Sequence, residues 1–245
     1  MKAMIFAAGK GTRLKPLTDK MPKALVPAGG KPLLWWLLQK MARSGIHDIF
    51  INVHHFSEQV VGYLESTPVP GLNIMISDES DLLLDTGGGL KKASGLFKGD
   101  EPVLVHNVDI LSNLDFNLLE QEFSAKDIPA MLAVKDRNTS RKLEFADGRL
   151  CGWANENTGE TIAAGSAFGS GKRFAFSGIS MFRPDFPGLF PQKGVFGLIP
   201  ACLSLAESFA IGMYDAPHDW LDVGKPETLT AADDFVDNYF KSYTE

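Results

Sequence analysis

The chain has 245 residues, 44% apolar and 22% charged, with 24 glycines, 14 prolines and a formal charge of −6 at pH 7. At about 150 residues per domain the length fits one large domain rather than three, and the composition excludes a disordered or collagen-like chain. The acidic balance, with no block of five Lys/Arg, argues against a sequence-independent grip on nucleic acid, and the longest apolar run, Leu33 to Leu38, falls far short of the ~20 residues needed to cross a bilayer.

Residues 3–8 (AMIFAA) read as a buried strand rather than a secretory leader, because the apolar stretch runs at once into Gly9-Lys10-Gly11. A helix over 31–45 closed by Gly45, a strand over 49–53, a helix from an N-cap at Ser57 to about Glu65, and a strand over 73–77 follow. A short helix over 88–97 leads to a strand at 102–106 that delivers Asn107-Val108-Asp109, then a helix over 116–124 and a strand over 130–135. From 138 to 173 the chain turns polar and Gly-rich, which predicts an excursion of short strands and a loop on the substrate side. The core pattern resumes with a strand at 174–182, a helix near 196–208, a strand near 209–214 and a helix at 226–240. The expectation is a single α/β domain over 1–245, with a mixed, mostly parallel sheet and helices on both faces.

The two cysteines, Cys151 and Cys202, form neither a CxxC pair nor a framework, so both are expected reduced in a cytoplasmic protein. His54-His55 are adjacent rather than i, i+4, and His106 and His218 belong to no Cys/His cluster, so zinc is not expected. Ala175 and Ile179 stand where a Gly-x-Ser-x-Gly elbow around Ser177 needs glycine, which excludes that serine hydrolase motif. Trp35-Trp36 reads as core and interface rather than as a stacking platform.

Where the first strand ends, the sequence reads Ala7-Ala8-Gly9-Lys10-Gly11-Thr12-Arg13-Leu14, then Pro16-Leu17-Thr18 and Pro22-Lys23. Two glycines let the backbone turn tightly and bring N–H donors to an anion, with Arg13 and Lys23 supplying charge, a pattern suited to a triphosphate. It is neither a dinucleotide fingerprint, since Leu14 replaces the third glycine, nor a P-loop. A Gly-rich turn by itself is weak evidence; Arg13, Pro22 and Lys23 strengthen it.

GKGTRLKPLT followed by PKAL resembles the signature of the sugar-1-phosphate nucleotidyltransferases. The resemblance runs from residue 1 to about 235. It implies a Rossmann-like nucleotidyltransferase fold, a nucleoside triphosphate cradled by Ala8, Gly9, Gly11 and Thr12, with Arg13 at the β/γ-phosphates and Lys23 near the α-phosphate, a sugar 1-phosphate as acceptor, and Mg²⁺ as cofactor. It also implies Asp109, with Arg13 and Lys23, in the catalytic set, and Asp109 and Asp222 as metal ligands. Two carboxylates plus substrate phosphates are the usual company of Mg²⁺, although either aspartate alone is more often a turn or cap residue. Asp85-Thr86-Gly87-Gly88-Gly89 leaves room for a flat base. It resembles a (Glu/Asp)-Thr-Gly-Gly-Gly stretch of the uridylyltransferases that make UDP-N-acetylmuramic acid, which implies UTP, with Asp85, Thr86 and Gly88 at the base.

Asn107, Ser177 and Gly178 fall on the sugar-contacting segments of the family. The Glu-Lys-Pro triplet of many relatives is absent, and Asn155 is taken as its substitute. Val108 stands where the family commonly has Gly, and Lys225 where a small residue is usual. GTP- or CTP-dependent transfer to mannose or heptose 1-phosphate or to a phosphorylated alcohol stays open, as do a non-catalytic nucleotide-sugar-binding regulator and a glycosyltransferase. The expected partners are the triphosphate and the sugar phosphate, without nucleic acid or membrane, in a monomer or homodimer.

Overall fold

A computed structural model describes residues 1–244. The strands are β1 (Lys2–Phe6), β2 (Pro27–Ala28), β3 (Lys31–Pro32), β4 (Asp48–Val53), β5 (Asn73–Asp78), β6 (Val103–Asn107), β7 (Ile110–Ser112), β8 (Ala130–Lys135), β9 (Arg141–Ala146), β10 (Arg149–Asn155), β11 (Thr161–Ala163), β12 (Lys172–Phe182), β13 (Ile211–Tyr214) and β14 (Trp220–Asp222). The helices are α1 (Leu33–Arg43), α2 (Ser57–Ser66), α3 (Asp85–Ser94), α4 (Phe116–Ala125), α5 (Leu198–Leu205) and α6 (Leu229–Tyr239). No helix among the described residues is long and apolar enough to cross a membrane. The chain divides into two compact units: Met1–Leu83 with His106–Asp115 and the segment from His218 onward, and Leu84–Val105 with Phe116–Pro217.

In the first unit β1, β4 and β5 pair in parallel, with Ile5 opposite Ile51 and Ile51 opposite Ile76. Parallel strands covered on both faces need apolar residues at nearly every position, and β1 is buried throughout. Helix α1 ends as Gly45 implied: Gly45, at φ +76°, donates to Ala42 O and Ile46 to Met41 O, closing a Schellman motif. The core of this unit draws Leu14, Val26, Leu33 and Trp36 from the N-terminal segment, Leu111 and Val223 from the two returning segments, and Phe235, Val236 and Phe240 from α6 and the residue that follows it. Each large side chain buried there contributes about 1.5–3 kcal/mol, and the Trp36 indole N–H is satisfied by Ala28 O at 2.7 Å.

The second unit is mixed. β8 pairs antiparallel with β12 and parallel with β13, while β10 pairs antiparallel with β9, β11 and β13. The excursion expected over 138–173 consists of β9, β10, β11 and a loop held by Glu144. This carboxyl is 1% exposed and accepts from Gly169 N, Gly171 N and Arg173 Nε. Burial pushes the Glu144 pKa up, but the Arg173 and glycine hydrogen bonds outweigh it and hold it below the ordinary value. Cys151 and Cys202 are buried free thiols, the latter pushed up to about 12 by burial.

The structure corrects several local expectations. Phe56, in the left-handed region at φ 55°, precedes α2, so Ser57 is the first helical residue and not the cap. Helix α3 starts at Asp85 rather than 88, taking the three glycines into its first turns. Their poor helix propensity is overridden by packing: a Cβ on Gly87 would lie 2.6 Å from the Phe196 ring, and one on Gly88 2.4 Å from Gly194 O. The ribbons β2–β3 and β7–β14 were not foreseen, because strands of two and three residues are too short to carry a period.

Candidate active site

The Gly-rich loop leaves the carboxyl end of β1, where open α/β sheets collect ligands. Its root is fixed twice: Ala7 N donates to Asn52 Oδ1 at 2.8 Å, and Val108 N donates to Phe6 O at 3.2 Å. Gly9 has open space on the side a Cβ would occupy. Gly11 sits at φ +64°, and a Cβ there would come within 2.7 Å of Thr18 Cγ2. Thr18, itself buried, donates from Oγ1 to Gly11 O at 2.8 Å, so the turn is closed by its own flank. Thr12–Leu14 form a 3-10 turn that leaves the Arg13 guanidinium exposed, and a second, Lys23–Leu25, buries Lys23.

The two aspartates meet through the β7–β14 ribbon. β7 follows Asp109 immediately, β14 ends at Asp222, and their register sets Asp222 opposite Ile110. Val223 N donates to Asp109 O at 2.8 Å and closes the arrangement. Lys23 Nζ donates to Asp109 Oδ2, and Arg13 Nη2 lies 3.8 Å from Asp222 Oδ2. Nine of the expected residues, Ala8, Gly9, Gly11, Thr12, Arg13, Lys23, Asn107, Asp109 and Asp222, thus belong to one unit. Val108 needs no glycine: its side chain is buried and its φ is not positive. Lys225 is exposed, and its main chain caps the following turn through Thr228 Oγ1.

Gly224 was missed. A Cβ there would lie 2.4 Å from Asp222 Oδ1 and 2.8 Å from Arg13 Nη2, so a side chain at this position would push both charged tips out of their present arrangement. Its signal was present in Asp222-Val223-Gly224. Lys40 was missed too, and nothing in a helical pattern marked it. It reaches from α1 to donate to Ser112 O and, at 2.7 Å, to Leu114 O, tying down the β7 strand.

No group of three or more His, Cys, Asp or Glu able to hold a metal exists among the described residues. Two aspartates offering only hard oxygens, at neighbouring positions of one ribbon, fit Mg²⁺, which keeps water and substrate phosphates as its other ligands.

In the second unit, Asp85 at φ 60° accepts from Thr86 N on Oδ1, and Thr86 Oγ1 accepts from Leu198 N at 2.9 Å. Gly87 and Gly88 give their N–H groups to Phe196 O at 2.9 and 3.1 Å. The glycine run therefore makes room for the 194–197 loop: Phe196 and Gly194 lie where a Cβ on Gly87 or Gly88 would stand. Gly178, at φ 73°, forms the bulge in β12, where the register shifts between Phe176 and Ser180; Ser177 and Gly178 are both buried. Asn155 Oδ1 accepts from Asn157 N at 3.1 Å and caps the turn between β10 and β11.

The sequence pattern of the Nucleotidyl transferase family matches residues 2–145. The chain belongs to that family, and the enzyme class is nucleotidyl transfer. Among its relatives is the N-acetylmuramate alpha-1-phosphate uridylyltransferase of Caulobacter vibrioides, 30% identical over 94% of this chain and 95% of that protein. A mannose-1-phosphate guanyltransferase of Pichia angusta is 29% identical over 93% of this chain and 62% of its own length. A solved structure from Bacillus anthracis, a candidate glucose-1-phosphate thymidylyltransferase, superposes with a TM-score of 0.82 at 18% identity over 100% of this chain and 99% of that one, a likeness of fold.

Proposed function

We propose that the protein transfers the uridylyl group of UTP to N-acetylmuramic acid α-1-phosphate, giving the UDP-sugar and pyrophosphate. The observation that carries the chemistry is the pairing of Lys23 with Asp109 and of Arg13 with Asp222 beside the Gly11 turn. The choice of substrates is supported by the near full-length relationship to the Caulobacter enzyme.

An oxygen of the sugar phosphate forms a bond to the α-phosphorus as the bridging bond to the β-phosphate breaks, and the electron pair departs with pyrophosphate. A phosphate monoester is already ionised near pH 7, so no general base is required. Lys23, oriented by Asp109, offsets charge at the α-phosphate; Arg13 does so on the leaving side, and the N–H groups of the Ala8–Thr12 turn bind phosphate oxygens. Asp109 and Asp222 would hold Mg²⁺, which would add charge neutralisation to the phosphates when bound. Positioning and electrostatics together account for the rate enhancement, and no covalent intermediate is needed. In the second unit, Asp85, Thr86 and Gly88 keep the assignment to the base, and Asn155, Ser177 and Gly178, with Asn107 of the first unit, that to the sugar.

Purified protein is incubated with Mg²⁺ and each of four triphosphates against a panel of sugar 1-phosphates, and pyrophosphate is measured. Release confined to UTP with N-acetylmuramic acid α-1-phosphate is the expected result. Release with GTP and mannose 1-phosphate, the reading favoured by the Pichia relative, would replace it.

A further inference from the structure

We propose that Asn52 and Glu79 are positioning residues for nucleotide binding, forming a buried relay that sets the backbone of the phosphate loop from behind; this rests on the proposed reading of Ala8–Thr12 as the triphosphate cradle. Asn52 stands at the carboxyl end of β4, the strand paired between β1 and β5, and is 3% exposed; Glu79, just past β5, is 1% exposed. Ala7 N donates to Asn52 Oδ1 at 2.8 Å, and Asn52 Nδ2 donates to Glu79 Oε1 at 2.7 Å. Glu79 is itself fixed by its backbone N–H to Val53 O at 2.8 Å.

The chemistry of the three groups leaves one orientation. A backbone N–H only donates, so the amide must turn its oxygen to Ala7, and its NH₂ then needs an acceptor, which the carboxyl of Glu79 provides. A buried polar chain of this kind costs free energy unless every member is satisfied. It is spent at the first residue beyond β1, where the chain turns from strand into loop. Ala7 N is thereby committed to the protein, leaving the following N–H groups of the turn to face an anion. Neither Asn52 nor Glu79 touches the substrate in this scheme; both act through Ala7.

The test exploits the polarity of the relay. In Asn52→Asp two carboxyl groups face each other, and the chain of donors and acceptors is broken. In the double variant Asn52→Asp/Glu79→Gln the amide introduced at position 79 donates to the carboxylate introduced at position 52, which still accepts from Ala7 N, so the relay is rebuilt with its donor reversed. Amide hydrogen exchange at Ala7 in the ligand-free protein, the melting temperature, and KM and kcat for the four ribonucleoside triphosphates with Mg²⁺ and the panel of sugar 1-phosphates as acceptors are measured for wild type, both single variants and the double variant.

Expected for Asn52→Asp are faster exchange at Ala7 and a KM for triphosphate raised about tenfold, with kcat within about threefold, the scale of one lost buried hydrogen bond. The double variant is expected to return both within about threefold of wild type. Glu79→Gln alone keeps an Oε1 that accepts from Asn52 Nδ2, so exchange at Ala7 is expected to stay closer to wild type than in Asn52→Asp. An Asn52→Asp protein that exchanges and binds as wild type does, or a double variant no better than the single one, overturns the inference. A wild-type protein that takes none of the triphosphates overturns the proposed function and this inference with it, whereas the exchange at Ala7 reads the relay independently of turnover.

Discussion

Gly11 is required by the protein itself: its φ of +64° and the 2.7 Å approach to Thr18 Cγ2 leave no place for a Cβ. Gly11→Ala therefore forces the Thr18 flank and Lys23 apart, and is expected to cost about 1–3 kcal/mol, lowering Tm by several degrees. Gly9, in the same turn, has no atom within 4 Å of where a Cβ would stand and no positive φ. Gly9→Ala should leave Tm unchanged while raising KM for the triphosphate, because the new methyl meets only the ligand; kinetics unchanged in both substrates would remove Gly9 from the cradle. The need for glycine at this turn was legible in the sequence. Folding and binding could not be separated there, since Thr18 is seven residues from Gly11 and its packing on that glycine has no local signature.

At the scale of the element, the β7–β14 ribbon depends on buried groups whose titration sets its pH tolerance. Burial lowers Lys40 to about 7, against a smaller opposing effect of Asp115. His106 is lowered to about 3, by burial first and then by the charge of Lys40, against its hydrogen bond to Asn107 O. Both groups bind fewer protons folded than unfolded, so each makes stability rise with pH between its folded and unfolded values. For His106 the loss runs as pH falls from about 6.5 towards about 3, and for Lys40 as pH falls from about 10.4 to about 7. Denaturation curves should show His106→Gln flattening the acid limb and Lys40→Met the alkaline one; curves parallel to wild type would contradict this. The ribbon explains why the site was only half legible. Asp109 and Asp222 stood out as acids near strand ends, but Ile110–Ser112 and Trp220–Asp222 are too short to announce their pairing, and Lys40 sits on a helix whose pattern gives no hint that an ammonium is buried. The longer elements were legible because β1, β4 and β8 are predominantly apolar runs and α1 is a longer, mostly apolar stretch closed by Gly45.

Across the whole molecule, the first unit gathers three stretches of chain, and each brings part of the proposed reacting centre: Arg13 and Lys23 from the first, Asp109 from the second, Asp222 from the third. The same three stretches share one core, through Leu14 and Trp36, Leu111, and Val223 with Phe235. Family membership was legible in a single run of sequence, GKGTRLKPLT with PKAL, whereas the joining of Asp109 to Asp222, far apart along the chain, is a property of the fold. In the proposed reaction these four side chains form one phosphate-transferring centre. The most direct measurement of that is Mg²⁺-dependent pyrophosphate release by Asp109→Ala and Asp222→Ala proteins whose circular dichroism and Tm match wild type. The expected result is a loss of about a hundredfold or more in kcat for each. Turnover close to that of wild type in a folded variant would contradict it and take that aspartate out of the centre.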